Sequence, residues 1–390
     1  MKKESNICNL STAILFWSII VIFGLGIFLL PQNDFSKIEG RMLSRFPEYS
    51  AGSLVDGSFF DSIGDFYSDR LPLREYFANL YALCEISLGK QEVNGAILCS
   101  DGALVLRPSD TSEKIFTQNI YSLSRLCESS HTTVFFAVPE QSAVYRESMP
   151  LKAFDTIQGA NNACCDEFLS RISLNPTDYY YTTDHHWTTD GAYIAYTIIC
   201  QRLGITPYDK DFFDIEIASS EFYGSTYRRA LLPRSLITPD TISLYRYSGE
   251  RELILTDHAS GQTHAGLYDY DEIESGDAYR IFLGGNSAHM SIRDTSAKAK
   301  PKLLILKDSY ANSLVPLLAL HYDIDMIDPR YAESSQIKDL CRSQEFDAVL
   351  VLLCQSTLKT EGSVSYAADI IAEYTKTVLT DLYLPRPFDL

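Results

Sequence analysis

Lys302-Leu303-Leu304-Ile305-Leu306, running into Lys307-Asp308-Ser309-Tyr310-Ala311-Asn312, is the stretch whose reading decides the fold. Leu303 to Leu306 is apolar throughout, which is the pattern of a strand buried on both faces. A helix is predicted over 313–321, with Pro316 in its first turn or so, where proline is tolerated. Asp323-Ile324-Asp325-Met326-Ile327 reads as a second strand, ending in Asp328-Pro329-Arg330-Tyr331. A helix over 335–343 and a third strand, Asp347 to Leu353, follow. The order β-α-β-α-β implies a parallel sheet covered by helices. Functional groups in such sheets gather past the carboxyl ends of the strands, and Ser309, Arg330 and Gln355 all fall there.

Upstream, Thr133 to Val138 is another buried strand, stopped by Pro139. Helices are expected over 113–127 and 156–172. Residues 95–105 read as two strands joined by an Asp101-Gly102 turn. The segment 210–299 is rich in Tyr, Asp, Ser and Gly, with short apolar runs. It reads as an irregular, partly β insertion. Gly284-Gly285-Asn286-Ser287 reads as a turn within it, and His258, His264 and His289 as scattered residues rather than ligands. Tyr223, Tyr227, Tyr268 and Tyr270 would suit stacking on sugars.

A dense polar stretch, Tyr181-Thr182-Thr183-Asp184-His185-His186-Trp187-Thr188-Thr189-Asp190-Gly191, precedes a helical pattern over 192–203. Thr188 or Thr189 suits its N-cap and Asp190 its first turn. Such a polar group must bond to itself or to a ligand if it is buried. In one reading Asp184 orients a histidine that serves as a general base. In another the cluster binds a metal. In a third the loop merely bonds to its own backbone. Neighbouring histidines on an extended segment point apart, whereas Asp184 and His186 share a side. Ser309, on a strand-to-helix turn, is either a nucleophile needing that base or a helix cap.

The rest of the chain narrows the class. Among 390 residues, 46% are hydrophobic, so a sizeable core is expected rather than disorder. A formal net charge of −18 argues against a nucleic-acid partner. Leu10 to Leu30 carries no charge and has the length to span a bilayer. Lys2 and Lys3 before it favour a cytoplasmic N-terminus. No small-residue cleavage pattern follows, so it reads as a retained anchor, with everything after Pro31 outside the cytoplasmic membrane. An aromatic-rich arm follows, with two helices meeting at Leu71-Pro72 and Glu39, Arg41 and Arg74 in ion pairs. The nine cysteines show neither a CxxC nor regular spacing, so no disulfide framework or zinc site is read. Cys200 and Cys354 look like buried small hydrophobes.

Thr183-Asp184-His185-His186-Trp187-Thr188 with Gly191-Ala192, and Lys307-Asp308-Ser309-Tyr310-Ala311-Asn312, resemble the two signatures of the DHHW protein family. That family is similar to the SGNH-hydrolase-like alginate O-acetyltransferases. The resemblance implies a three-layer α/β/α fold with a parallel sheet and permuted motif order. It implies Ser309 as nucleophile, His186 as base and Asp184 as its orienter, with no cofactor and no metal. Asn312 and Gln355 are the side-chain candidates for the oxyanion. Trp187, Tyr310, Arg330 and His185 are candidates for contact with substrate. Two departures stand out: Lys307-Asp308-Ser309 replaces the Gly-Asp-Ser turn of SGNH enzymes, and Gln355 follows the strand where they usually offer Asn.

The expected organisation is a cytoplasmic tail (1–9), an anchor (10–30), a helical arm packing on the main domain (31–95) and an SGNH-like domain (96–390). The insertion falls at about 210–300 of that last domain. The expected activity is transfer or removal of acetyl groups on a cell-surface or secreted polysaccharide. A membrane-bound O-acyltransferase supplying acetyl groups is the partner the resemblance implies. The alternative is a non-catalytic polysaccharide-binding or assembly protein of the same fold.

Overall fold

The computed structural model describes residues 2–29, 34–36, 38–129, 132–145, 163–172, 175–247, 249, 251–296 and 299–383. Chain contacts group it into two units, Met1–Asn94 with Tyr227–Thr238, and Gly95–Thr226 with Pro239–Leu390.

The first unit is helical. Helix α1 (Lys2–Leu29) contains Leu10–Leu29, which has a mean hydropathy of 2.5 and is only 11% buried. By length and composition it can cross a bilayer, and its uniform apolarity matches a lipid environment. Helices α2 (Ser58–Arg70) and α3 (Arg74–Ser87) follow on either side of Pro72. Phe28 of α1 meets Phe66 of α2 ring to ring at 6.3 Å. The expected ion pairs form: Arg41 bonds Glu39 at 2.6 Å and Asp69 at 2.5 Å, and Arg74 also bonds Glu39.

The second unit opens with a hairpin of β1 (Ala96–Leu98) and β2 (Leu104–Leu106) around the Asp101-Gly102 turn. Then come α4 (Glu113–Ser129), β3 (Thr133–Val138), α5 (Ala163–Ile172) and α6 (Thr189–Arg202). The predicted start of α5 at 156 lies outside the described residues. Helix α6 begins three residues before the apolar periodicity does, because Thr188 Oγ1 accepts from the Gly191 N–H at 3.2 Å. A polar cap sets the start, and the apolar face begins only inside it.

Strands β4 (Phe213–Phe222) and β5 (Asp240–Tyr247) form a separate antiparallel pair. They are followed by β6 (Leu253–Asp257), β7 (Gln262–Ala265), β8 (His289–Asp294), β9 (Lys302–Lys307), β10 (Asp323–Ile327), α7 (Ser334–Ser343), β11 (Ala348–Cys354), α8 (Gln355–Thr360) and α9 (Ser363–Tyr383). Among the described residues the main sheet runs β7-β6-β8-β10-β9-β11-β3. Strands β10, β9, β11 and β3 are parallel, as expected. Within the segment expected to be an irregular, partly β insertion, β6, β7 and β8 extend that same sheet in the antiparallel sense. Their apolar runs are short because an antiparallel strand can face water on one side and alternate polar with apolar residues.

Alternation along the parallel strands feeds two cores. Leu303, Ile305, Leu350, Leu352 and Phe136 face α5 and α6. Leu304, Leu306, Val351 and Phe135 face α4, α7 and α9. The result is a three-layer α/β/α sandwich. The helix predicted over 313–321 is instead a tight 3-10 turn, Ser309–Ser313, and a short helix at Val315–Leu318. Pro316 sits in the first turn of that short helix, where its missing N–H goes unused, as expected.

Candidate active site

Strand β9 ends at Lys307 and the chain turns at once. Asp308 makes that turn rigid. Its Oδ1 accepts from the Tyr310 N–H at 3.1 Å, and its Oδ2 from the Cys354 N–H at 2.6 Å and the Thr357 hydroxyl at 2.7 Å. The buried carboxylate thus caps one turn and ties it to the end of β11 and the start of α8. Ser309 stands next to it, partly exposed, past the carboxyl end of a central strand.

The second half comes from the loop before α6. Tyr180 and Trp187 pair across it, and the Tyr181 N–H bonds His186 O at 3.1 Å, so residues 181–186 form a closed turn. Asp240 clamps the outside of this turn. It accepts from the N–H groups of Thr182 (2.8 Å) and Thr183 (2.7 Å) and from both hydroxyls (2.9 and 2.6 Å). The histidines were expected to point apart. In the closed turn their rings lie side by side, 3.9 Å between centres, because the segment is not extended.

Asp184 is 1% exposed and fully bonded. Oδ1 accepts from His186 N–H at 2.9 Å and lies 2.6 Å from His186 Nδ1, while Oδ2 accepts from the Ser225 N–H at 2.6 Å. Burial by itself raises its pKa; the charges of His186 and His185 and the hydrogen bonds outweigh this and hold it well below the carboxylate range. A carboxylate at Nδ1 keeps the ring proton there and turns the lone pair of Nε2 outward. That nitrogen lies 2.8 Å from Ser309 Oγ. Asp184, His186 and Ser309 therefore form one line of hydrogen bonds.

Tyr279 closes one side of the imidazole. Its ring stacks on His186 at 3.8 Å and 7°, and its hydroxyl donates to Ser313 Oγ at 3.2 Å. Trp187 is wholly buried, its indole N–H shared between Tyr310 O and Ser313 Oγ at 3.0 Å each. Tyr310 is 3% exposed and donates to His185 O at 2.5 Å. Both were expected to touch substrate; they frame the site from inside, because neither has surface to offer. Tyr227, expected to stack on sugar, is buried too. His185 keeps a 32% exposed ring, with Nδ1 2.7 Å from Ser225 Oγ. Arg330 is a quarter exposed and forked onto Asp328 at 2.9 and 2.6 Å.

Of the two oxyanion candidates, Asn312 has both amide hydrogens engaged, at 3.2 Å on Gly285 O and on Asn286 Oδ1. Its Oδ1 accepts from Lys307 Nζ at 2.6 Å, and Lys307 also donates to Asn286 Oδ1 at 2.8 Å. Asn312 and Lys307 thus hold the Gly284–Ser287 loop, which the sequence suggested was a plain turn. Burial pushes the Lys307 ammonium down to about 8, against the attraction of Asp328. Gln355 is 3% exposed at the start of α8, one residue beyond the Cys354 N–H that Asp308 holds.

Sequence reasoning missed Tyr279, Ser225, Gly224, Asp240 and Asn286. Only Gly224 and Asn286 had a local signal, a glycine beside a serine and a Gly-Gly-Asn run. A Cβ on Gly224 would lie 2.2 Å from Asp184 Cβ, so glycine is required by close approach. Asp184, His185 and His186 each bring one ligand atom within 4.8 Å of the others. Those atoms are already engaged with Ser225, with Ser309 and with one another.

The fold is an SGNH-hydrolase-like α/β/α sandwich, with Ser309 on the turn after a central parallel strand. Residues 155–326 match the family model described as DHHW protein. No curated protein matches the sequence. The fold is similar to that of a DHHW family protein from Eubacterium siraeum, at 20% identity, TM-score 0.55, over 70% of this chain and 95% of that one. It is also similar to Bacillus cereus PatB1, solved with a sulfonyl adduct, at 18% identity, TM-score 0.53, over 69% and 97%.

Proposed function

We propose that the chain is an extracytoplasmic O-acetyltransferase or acetylesterase acting on a polysaccharide through a Ser309-His186-Asp184 triad. The observation that carries this is the 2.8 Å approach of His186 Nε2 to Ser309 Oγ, with Asp184 ionised behind the ring. A hydroxyl is a weak nucleophile until a base shares its proton. Ser309 Oγ attacks the acyl carbonyl carbon as its proton passes to His186 Nε2. The carbonyl oxygen becomes an anion facing the N–H of Ser309, with the Gln355 amide as second donor, since both Asn312 amide hydrogens are engaged elsewhere. His186 then returns the proton to the leaving oxygen, which leaves an acyl-serine. A sugar hydroxyl, or water, gives its proton to His186 and takes the acyl group, and His186 passes that proton to the departing Ser309 Oγ. Asp184 stabilises the imidazolium in both halves.

The apolar helix α1 would place this domain at the outer face of the membrane, where glycans are modified. The partly exposed His185 and Arg330 and the exposed Tyr270 remain for an acceptor, and a membrane acyltransferase is the donor the family resemblance suggests. The adduct on PatB1 belongs to that protein; here it suggests the probe. Full-length chain in detergent is treated with an arylsulfonyl fluoride or an activated acetyl ester and read by intact mass. One adduct on wild type, mapped to Ser309 and absent from Ser309→Ala and His186→Ala, is expected. A well-folded wild type that takes no adduct would favour the non-catalytic polysaccharide-binding reading.

A further inference from the structure

Two histidines and a carboxylate also meet on the antiparallel side of the sheet. His289 opens β8, Asp325 lies in β10 and His258 follows β6. The register places His289 opposite Ile327 and Ser291 opposite Asp325, so His289, Ser291 and Asp325 share one face. The His258 N–H bonds His289 O at 3.0 Å, which brings its ring over the same face. The two rings stack at 4.0 Å and 11°. His289 Nε2 lies 2.9 Å from Asp325 Oδ1, and His258 Nε2 lies 2.8 Å from Ser291 Oγ. The arrangement is not a second triad, since the serine and the carboxylate are bonded to different histidines.

Asp325 is only 2% exposed, and its two oxygens are used differently. Oδ2 accepts from Arg293 at 2.6 Å and Gln344 at 2.8 Å. Oδ1 is left aimed at the imidazoles. Supporting groups that fix a carboxylate in this way are what a metal ligand needs.

We propose that His258, His289 and Asp325 bind a divalent transition-metal ion, zinc foremost, through two imidazole nitrogens and one carboxylate oxygen. One ligand atom from each lies within 4.8 Å of the others. Zinc ligands sit at about 2.1 Å in a tetrahedron, so they stand about 3.4 Å apart. The widest gap therefore closes by up to about 1.4 Å, and the His258 ring swings out of its stack on His289 so that both lone pairs converge on the ion. His258 stands on an exposed turn and supplies that movement. Imidazole nitrogens select zinc, copper or nickel over magnesium and calcium. The ion would join three neighbouring strands, β6, β8 and β10, and leave one position open to water.

The test uses the full-length chain in detergent, stripped with chelator and dialysed against zinc chloride at micromolar concentration. Metal content, thermal unfolding and the spectrum of the cobalt(II) form are recorded. One zinc per chain, a zinc-dependent rise in Tm and a cobalt spectrum without thiolate charge-transfer bands are expected. The thiolate criterion separates this site from the cysteines. His258→Gln, on the exposed turn, should weaken binding at least tenfold with the circular dichroism unchanged, and His289→Gln should do the same. His185→Gln/His186→Gln should leave the zinc in place. Failure to retain zinc in the wild type, or retention undiminished in His258→Gln, would overturn the proposal.

Discussion

Replacing Lys307 with methionine tests whether the floor of the site is as dry as its geometry says. Lys307 is fully buried, and two amide oxygens are its hydrogen-bond acceptors. Burial drops its pKa from 10.5 to about 8. At about 1.4 kcal/mol per pH unit, that difference amounts to about 3 kcal/mol. The sign follows from which state holds the proton. Between pH 8 and 10.5 the unfolded chain keeps a proton that the folded one has given up, so stability rises with pH across that window. From pH 7.5 to 9.5 the gain is about 2 kcal/mol, from the two pKa values. Lys307→Met has no proton to lose, so its stability lacks this rise. Urea unfolding of the full-length chain in detergent, followed by the fluorescence of buried Trp187, measures it. Taking wild type minus variant at each pH cancels the other titrating groups. A difference that stays flat from pH 7.5 to 9.5 would refute the argument, since it would mean that water reaches Nζ.

Gly224→Ala should lower the rate of Ser309 acylation by about 10²-fold with the fold intact, because its Cβ would meet Asp184 Cβ at 2.2 Å and displace the carboxylate; a rate within twofold of wild type would contradict this. Asp240→Asn should cost about 2 kcal/mol in urea unfolding, since an amide cannot accept all the hydrogen bonds given by Thr182 and Thr183. Tyr279→Phe should keep most of the acylation rate and Tyr279→Leu should lose roughly 3–10-fold, the worth of an aromatic face against His186. Equal rates in the two variants would show that the ring face does not position the imidazole.

The local chemistry of this protein was written in short stretches. Runs such as Thr133–Val138 and Ala348–Cys354 fixed buried parallel strands, because a residue run apolar on both faces has few other places to go. Asp184, His186 and Ser309 were legible from their place beside a helix start and at a strand end. The uniform apolarity of Leu10–Leu29 was equally plain. Cys200 and Cys354 were also read correctly as interior residues, and burial pushes both thiols up to about 12.

What the tertiary structure decided was everything that depends on pairing across distance. It brought Ser309 to His186 across 123 positions of chain. It closed the 181–186 turn through Asp240, and so laid His185 beside His186 instead of opposite it. It drew β6, β7 and β8 into the main sheet and with them assembled His258, His289 and Asp325. It buried Trp187 and Tyr310 behind the site, put Tyr279 on the imidazole, and sealed Lys307 among amides. A strand with one wet face, an aspartate that clamps a distant turn and a lysine out of reach of water have no local pattern. Their partners are chosen by strand register and layer packing, which the sequence encodes only through the whole fold.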